Sequence, residues 1–475
     1  MSSARRGGVR RLRRRVLAAH IFLGHYAGSE RYQAIQPIPA EASVSKFLQP
    51  ICRILFFVTL VSFASVAQAD DWPHWRGLNR NGNVGESSRW KGGTWPPTKS
   101  VWRANVNSGS TGPIVIGNRL YTMGWKENQD HVYCIDASSG REIWKQWYRC
   151  PRFGRHSEGD KGLYAGPSSC PSYDSKTGYL YTLSTDGDLI CWDTRNKGKR
   201  VWSLNFYDAY KVGQRPKVGR RRLRDYGYTT APLLHGDSVI AEVGDDEGNL
   251  MAFSKQTGKR LWASESKDPA GHTGGVVPIV VDGMPCVAVL TIHNLLVARL
   301  DKGHAGETVA EFPWETDFAN NVATPTVLNN SVVITSEYNQ YAITRIDITR
   351  TGAKQIWKQP FASGVCPPVI HNGHIYWCWR GVYCLDFKTG EPVWRGGRGF
   401  GDTASCIATT DGRLIIWGRR GDLALVETAD HSPKEYTELS RRKGILKNDV
   451  WPHIVLSGGR LFCKDRDGNM VCFAL

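Results

Sequence analysis

Three consecutive carboxylates, Asp245-Asp-Glu247, form a compact acidic group that glycines flank at Gly244 and Gly248. Hard cations such as Ca²⁺ prefer carboxylate oxygens, so Asp245, Asp246 and Glu247 are candidate metal ligands. The alternative is a solvated turn between two strands, where acidic residues are ordinary. No Cys/His spacing typical of zinc or haem sites occurs anywhere in the sequence.

A second group of candidate residues is polar or aromatic and lies just ahead of predicted strands. Since these positions should face a central channel or its rim, we expect them to form a polar funnel for a small ligand. A lone histidine at such a place is more often a structural group than a base or a ligand. The candidates are Tyr228, His272, Asn320, Asn321, Trp451 and His453.

Motifs of known catalytic machinery are absent from the sequence. It contains no Gly-x-Ser-x-Gly, no phosphate-binding Walker A loop, no kinase catalytic loop and no His-Glu-x-x-His. We therefore predict no catalytic residue from motifs alone.

The strands that must position these candidate residues are indicated by a repeat that contains tryptophan. An aspartate or serine is followed by glycine and then by tryptophan, as in Asp136 to Trp144, Ser254 to Trp262 and Asp386 to Trp394. A period of about 40–50 residues is typical of solenoids, arrays and propellers. The tryptophans assigned to the repeat are Trp144, Trp202, Trp262, Trp314, Trp357 and Trp394.

Each repeat contains four short alternating apolar runs bounded by Gly, Asn, Asp or Pro, which predicts an antiparallel meander. Eight units can be read, and the last ends before its tryptophan strand. Upstream of the first unit stands an isolated strand that contains Trp102. The sequence therefore predicts an all-β fold, an eight-bladed β-propeller of four-stranded antiparallel blades over residues 100–475, with the ring closed by this N-terminal strand.

The repeat resembles that of the quinoprotein-type (PQQ-like) β-propeller superfamily. Its members include PQQ-dependent alcohol dehydrogenases and the propeller lipoprotein of the outer-membrane β-barrel assembly machinery. The segment Asp71-Trp-Pro-His-Trp-Arg-Gly77 resembles the opening of exported PQQ-like propellers of planctomycete-type bacteria. This resemblance covers nearly all of residues 70–475 and implies a fold, whereas a propeller hosts many functions.

The resemblance also implies one cofactor as an alternative. PQQ enzymes of the superfamily stack the quinone between a tryptophan and a disulfide of adjacent cysteines, beside a Ca²⁺ or lanthanide ion held by Glu, Asn and Asp. The present sequence has no adjacent cysteine pair and lacks the large insertions between blades. We expect no cofactor, with PQQ and Ca²⁺ as the alternative.

The N-terminal region reads as an export signal. An apolar run begins at Ile54 and ends in Ala67-Gln-Ala69, the small-x-small pattern of a signal peptidase site. We expect residues 1–69 to be an extension and signal peptide, residues 70–99 a leader before the ring, and the product to be periplasmic, extracellular or in the cell envelope. No transmembrane segment is expected after cleavage.

Positive charge is concentrated in two places. Residues 1–69 hold ten of the Lys and Arg residues against two Glu, and so account for eight of the seventeen excess positive charges. Two long insertions, residues 146–165 and 207–228, contain most of the other basic clusters and should lie on one face. We expect a protein or an anionic polysaccharide partner there rather than nucleic acid, and a monomeric chain.

Cysteine usage leaves the redox state open. The sequence has twelve cysteines, and eleven remain after Cys52 is removed with the signal, so at least one is unpaired. Several lie in predicted strands and should serve as small apolar residues. Cys150 and Cys170 flank one insertion and are the best candidates for a disulfide.

Two functions fit this sequence. The first is an exported, non-catalytic propeller that binds or scaffolds a protein or polysaccharide, because no catalytic constellation is present. The second is a PQQ-dependent or related oxidoreductase, which the superfamily resemblance implies.

Overall fold

Each sequence repeat forms one four-stranded antiparallel sheet, and eight such sheets make up a β-propeller. The computed structural model describes residues 71–153, 165–210, 212, 226–317 and 321–475. Its helical content over these residues is one short α-helix, α1 (Phe206–Tyr210), and one 3₁₀ turn, Thr194–Asn196. The predicted fold class is confirmed, while the predicted signal peptide lies outside the described residues.

The first four blades follow the chain in order, and each runs from its innermost strand outward. In blade 1 the strands are β2 (Ile114–Ile116), β3 (Arg119–Lys126), β4 (Gln129–Asp136) and β5 (Glu142–Arg149); in blade 2, β6 (Ser172–Asp174), β7 (Tyr179–Leu183), β8 (Asp188–Asp193) and β9 (Lys199–Asn205); in blade 3, β10 (Leu233–His235), β11 (Ser238–Asp245), β12 (Gly248–Ser254) and β13 (Arg260–Ala263); in blade 4, β14 (Val277–Val281), β15 (Met284–Leu290), β16 (Asn294–Arg299) and β17 (Thr308–Pro313).

The other four blades complete the ring, and the last takes one strand, β1, from the start of the chain. In blade 5 the strands are β18 (Thr326–Leu328), β19 (Ser331–Ser336), β20 (Ala342–Thr349) and β21 (Gly352–Gln359); in blade 6, β22 (Val369–His371), β23 (His374–Trp379), β24 (Gly381–Asp386) and β25 (Pro392–Gly396); in blade 7, β26 (Ala404–Thr409), β27 (Arg413–Gly418), β28 (Asp422–Glu427) and β29 (Glu438–Arg442); in blade 8, β30 (Val455–Ser457), β31 (Arg460–Lys464), β32 (Asn469–Ala474) and β1 (Trp102–Asn105).

The pairing of β1 with β32 joins the two ends of the described chain. Trp102 lies opposite Cys472, as Trp144 lies opposite Cys134 in blade 1. The isolated strand predicted from Trp102 therefore occupies the fourth, tryptophan-bearing position of blade 8. A strand supplied in this way covers a sheet edge that would otherwise expose unpaired backbone groups.

Tryptophans on the outermost strands of six of the eight blades pack between neighbouring blades. The indole N–H of Trp102 donates to the backbone oxygen of Ala137 over 2.9 Å, and that of Trp202 donates to Lys255 O over 2.9 Å. A Cβ added at Gly140 would lie 2.7 Å from the Trp102 ring, so this turn needs glycine. The same contact recurs between Gly198 and Trp144. Tryptophan is thus a packing residue here, as predicted.

One tryptophan was assigned to this set wrongly. Trp314 follows the end of β17, is buried, and donates its indole N–H to Ser336 Oγ over 2.9 Å. In blade 4 the residue at the equivalent position, just before the register shift, is Ala310, which pairs with Val297. Spacing along the chain did not reveal this difference in register, because the blade 4 turn has a different length.

The cysteines belong to the core. All eleven cysteines of the described part of the chain are unpaired and buried. The suggested Cys150–Cys170 disulfide is wrong, because the two lie at different places in the ring. Cys150 follows the outermost strand of blade 1, whereas Cys170 precedes the innermost strand of blade 2 and accepts a hydrogen bond from Gly112 N over 3.2 Å.

Native thiols should therefore be unreactive. Burial raises the pKa of Cys170 to about 12 and that of Cys366 to about 11, so the reactive thiolate is suppressed. We expect a thiol reagent such as Ellman's to label none of the eleven described cysteines in the folded protein, and all of them after denaturation without reductant. A denatured count two lower would show that a disulfide does form.

The leader, residues 71–99, runs across the axis of the ring and contains no strand. Trp72 exchanges two backbone hydrogen bonds with Val115 of β2, at 2.7 and 3.0 Å. Further on, Val84 N donates to Ala408 O of blade 7 over 2.8 Å, and the carboxylate of Glu86 accepts from the backbone N–H of Gly458, in blade 8, over 2.7 Å. The leader thus fills the inner side of the ring from blade 1 to blade 8.

Two arginines of the leader are the best-buried cations of this region. Arg76 and Arg80 are 0% and 1% exposed. Arg76 donates to Thr326 Oγ1 over 3.0 Å and to the backbone oxygen of Pro368, which links blades 5 and 6. Arg80 donates to Ser172 Oγ over 3.2 Å and to the backbone oxygens of Pro232 and Val276, which links blades 2, 3 and 4.

No described carboxylate pairs with either guanidinium group. Burial accordingly lowers the pKa of Arg76 to about 10 and that of Arg80 to about 9. Charge-assisted hydrogen bonds to carbonyl oxygens offset the loss of hydration of the two guanidinium groups. The same bonds supply donors to carbonyl oxygens that are themselves buried.

Removing one of these guanidinium groups should destabilise the ring. We expect Arg80→Ala to lower the free energy of unfolding by about 2–5 kcal/mol, because the buried Val276 O loses its guanidinium donor and Pro232 O keeps only the Ser172 hydroxyl. Denaturant titration followed by tryptophan fluorescence measures the change. The control is Lys99→Ala, at an exposed leader cation, which should stay within about 0.5 kcal/mol of the wild type. Equal stability of both variants would contradict this role of Arg80.

Candidate functional site

A cavity of about 590 Å³ lies on the axis of the ring. Its position follows from its walls, because the segment ahead of the innermost strand of every blade contributes to the lining. This volume falls within the range of about 300–1,000 Å³ that is usual for small-molecule sites. We call this cavity the cup. The lining residues from these segments include Ser110, Ser168, Thr229, Val322, Thr403 and Trp451.

The leader supplies Trp75 to the lining of the cup. The Trp75 indole N–H donates to Thr324 Oγ1 over 3.0 Å, and its ring packs on Gly274 and Gly275. A Cβ on either glycine would lie within 2.8 Å of the indole, so no larger residue fits at these two positions. The Gly-Gly pair that follows His272-Thr273 in the sequence therefore leaves the space that the Trp75 ring of the leader occupies.

A second set of lining residues comes from the turns between the second and third strands of blades 5, 6 and 7. Tyr338, Arg380 and Arg419 occupy these turns with φ values of 60°, 60° and 53°. Left-handed backbone is costly for residues other than glycine, and these three adjacent blades each place such a residue at the wall of the cup. The sequence analysis missed these residues. The available signal was arginine within Trp379-Arg-Gly381 and Gly418-Arg-Arg-Gly421.

Arg380 neutralises two of the acidic side chains of the cup. Its guanidinium group donates to Asp402 over 2.5 Å and to Glu337 over 3.3 Å, and it lies 4.3 Å from the centre of the Trp379 ring. Burial raises the pKa of Glu337. Arg380 thus lies between the Glu337 and Asp402 carboxylates and pairs with both.

Arg419 and Arg420 differ from Arg380 because both are exposed and neither pairs with a carboxylate among the described residues. The remaining acid of the lining, Asp449, lies 3.8 Å from Arg466, which is not a lining residue. The lining therefore has three arginines and three carboxylates, but its positive groups are left uncompensated on the blade 7 side.

Two of the predicted funnel residues, His272 and Trp451, line the cup. Tyr226 packs edge-on against His272 with ring centroids 5.0 Å apart, and the Tyr226 backbone N–H donates to Nε2 of His272 over 3.4 Å. Tyr226 and His272 thus form an aromatic wall at blades 3 and 4, and Trp451 lines the cup separately at blade 8.

Two other candidates serve the blades instead. Tyr228 is buried against Phe206 of α1, with ring centroids 5.2 Å apart, and its hydroxyl donates to Val243 O. The Asn321 amide donates to three backbone oxygens, among them Trp314 O over 2.9 Å. Neither lines the cup. Asn320 lies outside the described residues.

His453 is a structural group beneath the cup. Its Nδ1 lies 2.8 Å from Ile454 O, and its ring packs edge-on against Trp75 at 5.1 Å. Burial lowers the pKa of His453 to about 3, so the ring is neutral at ordinary pH. It supports the leader and does not line the cup.

The acidic group at Asp245-Asp-Glu247 is placed where the sequence predicted, at the turn between β11 and β12. Asp246 and Glu247 are exposed, and Glu247 forms an ion pair with Arg260. In the part of the chain that the structure describes, no group of three or more His, Cys, Asp and Glu residues is arranged to hold a metal ion.

The two insertions are described only at their ends. Residues 146–149 belong to β5, and Tyr207 lies in α1, buried against Tyr228. The insertions are therefore shorter than the predicted ranges 146–165 and 207–228. Their basic residues from 154 to 164 and from 213 to 225 lie outside the described residues.

The fold and the cup define a PQQ-like β-propeller. A family model described as "Outer membrane protein assembly factor BamB" matches residues 154–396. The chain belongs to this family.

Individual relatives fall into two groups. The chain is 22% identical to outer membrane protein assembly factor BamB of Burkholderia pseudomallei, over 62% of its own length and 68% of that protein's. It is 30% identical to quinohemoprotein alcohol dehydrogenase ADH-IIG of Pseudomonas putida, over 32% of its own length. That match spans only 18% of the enzyme.

Solved structures show the same fold at low identity. BamB from Moraxella catarrhalis has a TM-score of 0.53 at 13% identity, covering 79% of this chain and 97% of that one. Quinohemoprotein alcohol dehydrogenase from Comamonas testosteroni has a TM-score of 0.58 at 14% identity, covering 86% and 81%. Among the described residues no helix is long and apolar enough to cross a membrane.

The residues of the cup do not fit the PQQ site that the resemblance implies. The sequence has no adjacent cysteines to form the disulfide on which the quinone would stack. The carboxylates of Glu337 and Asp402, which would be the natural oxygen ligands for a cation, are bound to Arg380. A divalent cation would have to displace a guanidinium group that is held on both sides.

Proposed function

We propose that this chain is an exported, non-catalytic propeller that binds or scaffolds a protein or polysaccharide partner, and that the cup is the contact site. The observation that carries the proposal is the pair of uncompensated arginines, Arg419 and Arg420 of blade 7, in a cavity of ligand size that Trp451 of the neighbouring blade 8 also lines. Such a cavity offers binding energy through stacking and charge.

The chemistry of the lining supports binding over catalysis. General base catalysis needs a base within hydrogen-bonding reach of a nucleophile. The Nε2 atom of His272, the histidine among the lining residues, already accepts from the Tyr226 backbone. Both carboxylates near the wall of blades 5 to 7 are engaged by Arg380.

Membership of the BamB family supports a partner in the cell envelope. Relatives in this family are named outer membrane protein assembly factors. The signal-like segment that ends at Ala69 agrees with export. The relatives' own partners do not identify the partner of this chain, since identity to them is only 22–25%.

Filling the cup should abolish partner binding. Ser168 is a small lining residue with no side-chain hydrogen bond among the described residues, so Ser168→Trp should occupy the cavity and leave the blades unchanged. We expect immobilised wild type to retain a protein or polysaccharide from envelope extract. Immobilised Ser168→Trp should retain at least about tenfold less of that partner.

The matched control is Thr351→Trp, at an exposed position in the turn of blade 5 between β20 and β21, which should bind like the wild type. Equal retention by the wild type and Ser168→Trp would refute the cup as the binding site. No retention by the wild type would refute the binding function.

The second candidate function is a PQQ-dependent oxidoreductase, which the alcohol dehydrogenase relatives favour. Incubation with PQQ and Ca²⁺, followed by removal of free quinone, tests it through quinone absorbance and alcohol-dependent dye reduction. We expect neither signal, because Arg380 holds the carboxylates. Bound quinone together with dye reduction would establish the enzyme instead.

A further inference from the structure

We propose that the cup binds the uronic acid end of an acidic oligosaccharide, with the sugar carboxylate held by Arg419 and Arg420 and the pyranose ring packed on Trp451. This inference rests on the binding function proposed above and names its ligand class. It follows from the backbone at Arg419, the buried cations of the leader and the composition of the walls.

The turn of blade 7 holds Arg419 in a costly backbone conformation. Arg419 has φ 53°, and its backbone N–H donates to Thr403 O over 3.2 Å. Glycines lie on both sides of the pair, at Gly418 and Gly421, so the turn already contains residues suited to sharp bends. Arg419 rather than glycine occupies the left-handed position at the wall of the cup, and its guanidinium group can bind a carboxylate through paired hydrogen bonds.

The leader adds positive charge beneath the cup. Arg76 and Arg80 are buried without a described carboxylate partner, and Arg76 is close enough to help keep His453 neutral. His453 in turn contacts Trp75, which lines the cup. Because charges in a poorly hydrated interior are weakly screened, this pair of cations favours an anion at the axis.

The other walls suit a sugar. Trp451 and Tyr226 present partly exposed rings, and apolar C–H faces of a pyranose pack on such surfaces. Ser110 and Ser168 add hydroxyl groups that can exchange hydrogen bonds with sugar hydroxyls. A cavity that mixes aromatic rings, hydroxyls and charged planar groups in this way offers partners to every face of a uronic acid.

A peptide fits this arrangement less well. One common way in which an extended peptide binds is by pairing with an open strand edge. Around the axis the leader already engages backbone groups of the inner strands or of the residues just before them, including Val115, Pro232, Pro368 and Ala408. A sugar needs no such edge, since side chains supply its contacts.

Calorimetric titration of the full chain with a defined panel tests the inference. The acidic probes are short oligomers of galacturonate, glucuronate and mannuronate. The comparison probes are their neutral, carboxyl-reduced counterparts and an oligoglutamate peptide. We expect at least one acidic oligomer to bind, and its neutral counterpart to bind at least about tenfold more weakly, because a charge-assisted contact is lost.

Arg419→Gly is the informative variant. Glycine adopts the left-handed turn without strain, so the melting temperature should be unchanged or higher while affinity for the acidic oligomer falls at least about tenfold. Its control is Lys197→Gly, which also removes an exposed cation from left-handed backbone, φ 49°, but away from the cup. That variant should bind like the wild type.

Several results would overturn the inference and separate it from the broader proposal. The assignment of a uronic acid as the ligand is wrong if no acidic oligomer binds or if neutral oligomers bind equally well. It is also wrong if Arg419→Gly binds the acidic oligomer like the wild type. Binding of oligoglutamate alone, blocked by Ser168→Trp, would also reject it while keeping the cup as a protein-binding site. Partner capture unaffected by Ser168→Trp would remove the cup as the binding site, and failure of the wild type to capture any partner would remove the proposed function itself.

Discussion

The hydrogen bonds from Arg76 and Arg80 to backbone oxygens at the axis are the constraint on which the architecture depends. Innermost strands such as β10 and β22 are three residues long, and the carbonyls of Pro232 and Pro368 just before them are buried and need donors. Each guanidinium group has enough N–H groups to serve oxygens from more than one blade. The leader, a segment that belongs to none of the blades, thereby holds separate blades at fixed positions around the axis.

Much of this fold could be predicted, because the tryptophan phrase encodes contacts between neighbouring blades. The Trp102–Gly140 contact repeats the Trp144–Gly198 contact, and six of the eight blades carry a tryptophan at this position, so the phrase revealed the period of the blades. The method failed at Trp314, since sequence spacing does not reveal strand register and Ala310 holds the equivalent place. The role of Arg76 could not be predicted from the sequence either. One of its acceptors is a main-chain oxygen, and every residue type has such an oxygen.

The candidate site was predictable only in part, for a related reason. Segments ahead of inner strands are marked by proline and polar residues, and these led to His272 and Trp451, which line the cup. The same pattern also selected Asn321, whose amide satisfies buried carbonyls of the blade. Arg419 was missed because glycine is the usual marker of left-handed turns, and an arginine there looks like an ordinary surface cation.

The leader and the cup are coupled through Trp75. Its ring lines the cup, and its position depends on Thr324, on the glycines of blade 4 and on the docked leader. A ligand that rests on this ring binds the docked state better than any state in which the leader is released. By linkage, binding must then stabilise the docked leader by the same free energy that docking contributes to affinity. The arginines that hold the blades together therefore also preorganise the cup, so the stability of the ring and the affinity of the site are set by one segment.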